Sequence, residues 1–203
     1  MAFFEFKNIQ IVGFSAAVPK QVVVTNSLSK DYDSADFVRA TGIEKKRIGN
    51  FTTSDLCYEA TLQLLSDLSW EKGDVDALIF VSQSADYILP ATACILQDRL
   101  GLSKECYALD ISLGCSGWTY GLSVASGLLS DNGMKKALLL VGDAKPHAEQ
   151  ERDPLFGDAG TVTAVAFCPP PPPPPPRPAR ARKVMKTFFI SMRELTVPVL
   201  MPL

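Results

Sequence analysis

Histidine is almost missing from this chain: His147 is the only one in 203 residues. That scarcity removes metal sites and proton relays built from several imidazoles. Cysteine is present but without a pairing pattern. Cys57, Cys94, Cys106, Cys115 and Cys168 include no C-x-x-C pair and no histidine spaced to complete a zinc site. They read as reduced thiols of a cytoplasmic protein, with no metal expected. No G-x-G-x-x-G follows the first strand-like run, which weakens a dinucleotide-binding reading. A basic face is lacking too. The net charge is −2, and Arg177, Arg180, Arg182, Lys183, Lys186 and Arg193 outweigh Glu194 at the C-terminus, so the body before them is acidic. Nucleic acid is therefore not an expected partner. No membrane is expected either, because no apolar run reaches spanning length and even the greasy C-terminus is broken by Lys186, Arg193, Glu194 and Pro198. Met1–Lys7 has neither a basic leader nor a small-residue cleavage site and reads as mature sequence.

What is present is ample apolar material, 47% of the residues, in a strand–helix rhythm. Ile9–Phe14 reads as a first strand. Ser54 is expected to cap a helix whose apolar positions Leu56, Ala60, Leu64, Leu65 and Leu68 follow helical spacing. Asp76–Ser82 is nearly continuous in apolar residues, the mark of a strand covered on both faces. A helix is predicted from about Pro90 to Leu100, with Pro90 in its first turn. A strand over Tyr107–Ile111, a helix from about Ser116 to Leu129, and strands at Ala137–Gly142 and Thr161–Phe167 complete the series. Such alternation calls for a mostly parallel sheet with helices on its faces.

At Cys168 the pattern breaks into an unbroken proline run, Pro169–Pro176, followed by Arg177-Pro178-Ala179-Arg180-Ala181-Arg182-Lys183. Polyproline neither pairs in a sheet nor continues a helix, so an extended rod is expected. Residues 1–167 thus form one unit and 168–203 a polyproline and basic tail, disordered or loosely packed. A proline run of this length can be encoded by a long, slippage-prone cytosine tract, and a shifted reading frame over residues 169–203 would account for the change of grammar there.

The chemistry centres on Asp110-Ile111-Ser112-Leu113-Gly114-Cys115-Ser116-Gly117-Trp118. This string leaves a buried strand, turns through small residues and enters an apolar helix. A thiol at a helix N-terminus sits beside unpaired amides at the positive end of the dipole, and both favour the thiolate. Gly114 and Gly117, without Cβ atoms, would let a thioester approach. A lone cysteine is otherwise more often a buried apolar residue.

The string resembles the nucleophile motif of the β-ketoacyl-acyl-carrier-protein synthase III family. Other segments follow in the family's order: Thr41-Gly42-Ile43-Glu44-Lys45-Lys46-Arg47-Ile48, Ser84–Cys94, and Phe156-Gly157-Asp158-Ala159-Gly160. The resemblance covers residues 1–167 and the N-terminal half of such an enzyme. It implies an α/β, thiolase-like βαβαβαββ half-domain with a mixed, mostly parallel sheet. It also implies an acyltransferase of fatty-acid or polyketide-like biosynthesis that works as a homodimer. Acyl-coenzyme A and acyl-carrier protein would be its substrates, with no tightly bound cofactor.

By the same resemblance Cys115 carries the acyl group as a thioester, and Leu89 reaches across the dimer into the partner's acyl pocket. Phe37 stands near the place of an adenine-stacking tryptophan, and Arg152 near that of a coenzyme-binding arginine. Leu89 reads equally well as a plain loop leucine, and Arg152 as a solvated charge. The family's catalytic histidine and asparagine belong to its second half and match nothing here. His147 reads as a surface or loop residue, so the chain is expected to be incomplete for condensation. The alternative is a non-catalytic protein acting through its tail, since Pro175-Pro176-Arg177-Pro178-Ala179-Arg180 fits the P-x-x-P-x-R pattern of polyproline ligands.

Overall fold

The computed structural model describes residues 2–24, 34–131, 133–145, 155–170 and 195–199. Along the chain these form β1 (Ala2–Phe6), β2 (Ile9–Ala17), β3 (Val22–Val24), α1 (Ser34–Thr41), β4 (Lys45–Arg47) and α2 (Thr53–Leu68). Then come β5 (Ala77–Val81), α3 (Thr92–Leu100), β6 (Tyr107–Ile111), α4 (Gly117–Asp131), β7 (Lys136–Asp143), β8 (Ala159–Phe167) and β9 (Leu195–Val199).

Five strands build the main sheet in the order β2-β8-β7-β5-β6. β5 is parallel to both β6 and β7, whereas β8 is antiparallel to β7 and to β2. Four strands therefore run one way and β8 runs against them, which is the mixed, mostly parallel sheet the sequence predicts. The alternation within β5 shows why both faces must be covered. Leu78 and Phe80 pack with Ala60, Leu64 and Leu65 of α2 and Leu96 and Leu100 of α3. Ala77, Ile79 and Val81 face the other way, onto Leu122, Ala125 and Leu129 of α4. Each of these leucines stabilises the fold by about 2 kcal/mol through burial alone.

Two helix starts differ from the sequence reading. Thr52, not Ser54, caps α2: the Asp55 amide donates to Thr52 Oγ1 at 3.1 Å, and the Thr52 amide donates back to Asp55 Oδ2 at 3.2 Å. Ser54 lies inside the first turn, fully buried, where its hydroxyl meets other partners. α3 begins at Thr92 rather than at Pro90, which follows a cis bond to Leu89. Its N-cap position is Ala91, which has no side-chain acceptor. Asp110 of β6 replaces the missing cap, taking the Thr92 and Ala93 amides at 2.7 Å each.

The expected tail is described at residues 168–170, where the Cys168 amide donates to the Asn8 carbonyl at 2.7 Å, and at β9, which is not loose but pairs antiparallel with β1 from Ala2↔Val199 to Phe6↔Leu195. Pro198 fits there because each strand of a two-stranded ribbon has a free edge needing no N–H. The polyproline run from residue 171 onward and the apolar stretch Thr187–Met192 lie outside the described residues.

The capping box supplies a pH test. Burial opposes ionisation of Asp55, but the Thr52 amide, Arg99 and the Thr52 hydroxyl outweigh it and hold the carboxyl below its ordinary value of 3.8. A depressed carboxyl stabilises the folded state above the unfolded value and loses that contribution as pH falls through the folded one. Urea unfolding of Asp55→Asn should therefore show a lower midpoint than the unsubstituted protein at pH 7, with the gap closing below about pH 4. A gap that stayed constant into acid would remove ionised Asp55 from the account.

Candidate active site

β5, β6 and β7 run parallel, and Val81 is in register with both Ile111 and Val141. The segments that follow them therefore leave the sheet at the same end, where open α/β sheets bind ligands. After β6 comes the turn Ser112–Ser116. The Leu113 amide donates to the Ile111 carbonyl at 3.2 Å, and the Gly117 amide to the Gly114 carbonyl at 2.7 Å. The first bond of α4 runs from the Tyr120 amide to the Ser116 carbonyl at 3.1 Å. Cys115 is exposed in this turn, two residues ahead of α4. The first amides of a helix have no partner within it, and α4 has no acidic residue in its first turn to neutralise them.

The glycines hold the turn in a different way from the sequence expectation. A Cβ on Gly117 would come within 2.6 Å of Val81 Cγ1, and one on Gly121 within 2.5 Å of Leu139 Cδ1. Both let α4 lie close against the sheet, so Gly117 faces the core and not a substrate. A Cβ on Gly114 would meet the Gln83 amide group at 2.9 Å, so Gln83 of the β5–α3 connection backs the turn. Trp118 fixes the start of α4 from the other side, its Nε1–H donating to Thr163 Oγ1 of β8 at 3.1 Å.

Gln83 also lines a cavity of about 270 Å³ together with Ser84, Asp143, Ala144, Lys145, Phe156, Gly157 and Asp158. Cys115 is not in its wall, and Gln83 is the residue shared between cavity and turn. Carboxylates brace this end of the sheet. Asp143 Oδ1 accepts from Ser82 Oγ and from the Gln83 amide, both at 2.8 Å. Buried Asp158 accepts from the Gly49 amide at 2.8 Å and the Lys145 amide at 3.3 Å. Thr53 Oγ1 takes the Ala144 amide at 2.9 Å, tying α2 to the segment after β7.

The structure places Leu89 in the β5–α3 connection with 83% of its surface exposed, beside exposed Tyr87 and Ile88. Cys115 and Leu89 thus leave the same end of the sheet from adjacent strands. Phe37 is half-buried on α1, where its carbonyl accepts from Thr41 Oγ1 at 2.8 Å. Arg152 and His147 lie outside the described residues. Sequence reasoning passed over Asp110, Asp143 and Gln83. Asp110 did leave a signal, as a lone carboxylate in an otherwise apolar strand that has no hydrogen-bonding role unless it reaches a neighbouring element.

A family model for 3-oxoacyl-[acyl-carrier-protein (ACP)] synthase III matches residues 109–168, the stretch that contains the Cys115 turn, α4, β7 and β8. The beta-ketoacyl-[acyl-carrier-protein] synthase III of Clostridium perfringens is 32% identical over 166 residues, covering 78% of this chain and 51% of the relative. That of Xylella fastidiosa is 38% identical over 137 residues, covering 66% and 42%. The chain is similar to the N-terminal half of the 3-oxoacyl-[acyl-carrier-protein] synthase III enzymes. Among solved structures, the 3-oxoacyl-(acyl-carrier protein) synthase of Burkholderia xenovorans superposes with a TM-score of 0.76 at 35% identity, covering 83% of this chain and 51% of the other. OleA of Xanthomonas campestris, 20% identical with a TM-score of 0.70, shares the thiolase-like fold. The chain spans about half the length of the curated relatives it matches. No helix among the described residues is long and apolar enough to cross a membrane.

Exposure separates the thiols. Burial pushes Cys57 up to about 12 and Cys106 up to about 11. At pH 8 only about one Cys57 in ten thousand and one Cys106 in a thousand are then ionised. Cys94, by contrast, is exposed. It lies in the first turn of α3, whose leading amides Asp110 already occupies. Peptide mapping after brief iodoacetamide treatment should therefore find Cys115 alkylated first, Cys94 and Cys168 later, and Cys57 and Cys106 last. Cys94 outpacing Cys115 would show that exposure alone, and not the start of α4, governs reactivity.

Proposed function

We propose that Cys115 accepts an acyl group as a thioester, the first half of a 3-oxoacyl-acyl-carrier-protein synthase III reaction. The observation that carries this reading is an exposed thiol in a tight turn ahead of a helix with no acidic side chain in its first turn, at the end of the sheet where the parallel strands β5, β6 and β7 finish. The Cys115 thiolate attacks the carbonyl carbon of a donor thioester and forms a new C–S bond, while negative charge gathers on the carbonyl oxygen. Backbone N–H groups at the turn stabilise that oxygen. The donor C–S bond then breaks, and the leaving thiolate takes up a proton equivalent to the one Cys115 gave to solvent.

Similarity to the synthase III enzymes supports acyl-coenzyme A as the donor and acyl-carrier protein as the acceptor's carrier, in the cytoplasm. Phe37 and Arg152 are the residues proposed to meet the coenzyme. Decarboxylative condensation is a separate matter, because its enolate needs preorganised donors that the family draws from a histidine and an asparagine with no match in these residues. Losing one such donor commonly costs about a hundredfold to a thousandfold in rate.

Intact-mass spectrometry should show one acyl group on the 203-residue polypeptide after incubation with acyl-coenzyme A, and none on Cys115→Ala. Labelled malonyl-carrier protein should then release carbon dioxide no faster than with the Cys115→Ala control. Absence of acylation would sink the proposed half-reaction, and turnover well above control would sink its restriction to acylation.

The homodimer is part of the same proposal. Among the described residues β6 pairs with β5 alone in the main sheet and leaves its outer edge unpaired, and Tyr107 at its start is 42% exposed. Ile88 and Leu89, 98% and 83% exposed, leave the sheet at the neighbouring strand. Such surface favours self-association. Light scattering at micromolar concentration should give a dimer or larger species. A well-behaved monomer would contradict pairing through this edge.

A further inference from the structure

The connection between β5 and α3 presents three consecutive apolar side chains to solvent: Tyr87, Ile88 and Leu89 are 63%, 98% and 83% exposed. Side chains so exposed are not positioned by their own packing. Whatever fixes them acts through the flanking backbone. On the C-terminal flank α3 is already capped by Asp110 through the Thr92 and Ala93 amides. On the N-terminal flank stands Asp86, which helix capping does not require.

Asp86 is nevertheless tied on both its main chain and its side chain. Its amide donates to Thr92 Oγ1 at 3.3 Å, and its Oδ2 receives the hydroxyl of Ser54. Ser54 and Thr92 are fully buried. The direction of the Ser54 bond follows from its neighbours. Arg99 Nη1, 3.1 Å from Ser54 Oγ, is a donor only and the Asp86 carboxylate an acceptor only, so Ser54 accepts from Arg99, gives its single proton to Asp86, and leaves Thr52 Oγ1 at 3.0 Å as the donor in their contact. Arg99 is itself fixed, by Asp55 Oδ1 at 2.9 Å and by the Tyr58 ring at 4.8 Å from the guanidinium. A chain of contacts therefore runs from α3 through α2 to the root of the exposed tripeptide. Its last atom, Asp86 Oδ1, is buried without a hydrogen-bond partner among the described residues. A polar oxygen left in that condition costs stability, and such costs are concentrated where position matters to function.

We infer that Asp86 is a positioning residue: held by Ser54, it fixes the direction in which Tyr87, Ile88 and Leu89 project, and through that the acyl chain lengths the enzyme accepts. This inference rests on the function proposed above, in which Leu89 enters the acyl pocket of a second copy. A projection anchored at its root forms a pocket wall of fixed depth, whereas a loosened one yields to longer chains.

The test uses the full chain and measures the rate of Cys115 acylation with short and long acyl-coenzyme A donors, alongside hydrogen exchange of the 84–91 backbone. Asp86→Ala should lower the preference among chain lengths at least about fivefold. It should speed exchange over 87–91 about tenfold or more, with the core of α2 unchanged. Ser54→Ala should do the same. Asp86→Asn keeps an acceptor for Ser54 and should stay within about twofold of the unsubstituted profile. It also carries the comparison if the alanine variant does not fold. No acylation of the unsubstituted protein would overturn the proposed function, and the positioning role with it. Normal acylation with an unchanged length profile in Asp86→Ala, or an Asp86→Asn profile as altered as that of alanine, would overturn the positioning role alone.

Discussion

The structure depends on β5 being covered on both faces. Ala77 to Val81 are at most 1% exposed, and their side chains alternate between α2 with α3 on one side and α4 on the other. A strand in this position has no polar face, so its register with β6 and β7 is locked by packing, and a one-residue slip would bring every apolar side chain against the wrong helix. The reactive end of the molecule inherits that rigidity. Gln83 follows directly from β5 and supports Gly114, while Val81 itself is the surface against which Gly117 lets α4 settle.

The functional edge is held by a different kind of bond. Asp110, Asp143 and Asp158 each accept at least one hydrogen bond from a backbone amide of another segment. Bonds from amides to a carboxylate fix main-chain position more closely than apolar packing does, because they are directional as well as strong. Loops that carry a nucleophile or a pocket wall need that property, since their own side chains must stay free for substrate. The fold thus divides its labour between apolar burial beneath the sheet and carboxylate bridges at its ligand-binding end.

Much of this was legible in the sequence because it depends on local pattern. The continuous apolar run at 76–82, the helical spacing after Thr52 and the small-residue turn around Cys115 report burial and chain direction. What stayed hidden depends on contacts between distant segments. Nothing local to Ala91 shows that Asp110 will cap α3, and nothing near Ser54 shows that its hydroxyl will serve Asp86 instead of the helix. The role of Gly117 was misjudged for the same reason: a glycine beside a nucleophile suggests room for substrate, but its missing Cβ is filled by Val81 from a strand 36 positions earlier. The cysteines divide likewise. Cys57 and Cys106 are silenced by burial, but Cys94 falls on the outer face of α3, a matter of helix phase against a sheet that the sequence alone does not orient.

Sharing of the fold at 20% identity follows from how few positions these constraints occupy. Apolar alternation in the central strands tolerates exchange among Val, Ile, Leu and Phe, provided volume is conserved. The bridging carboxylates, by contrast, address backbone amides, which every residue except proline supplies. The exposed side chains between β5 and α3, Tyr87, Ile88 and Leu89, can change without loosening the frame. Under the acyl-transfer reading proposed above, substrate preference can then diverge at these positions while the Cys115 turn stays where β6 and α4 put it. On that reading one scaffold carries a constant nucleophile under a variable pocket.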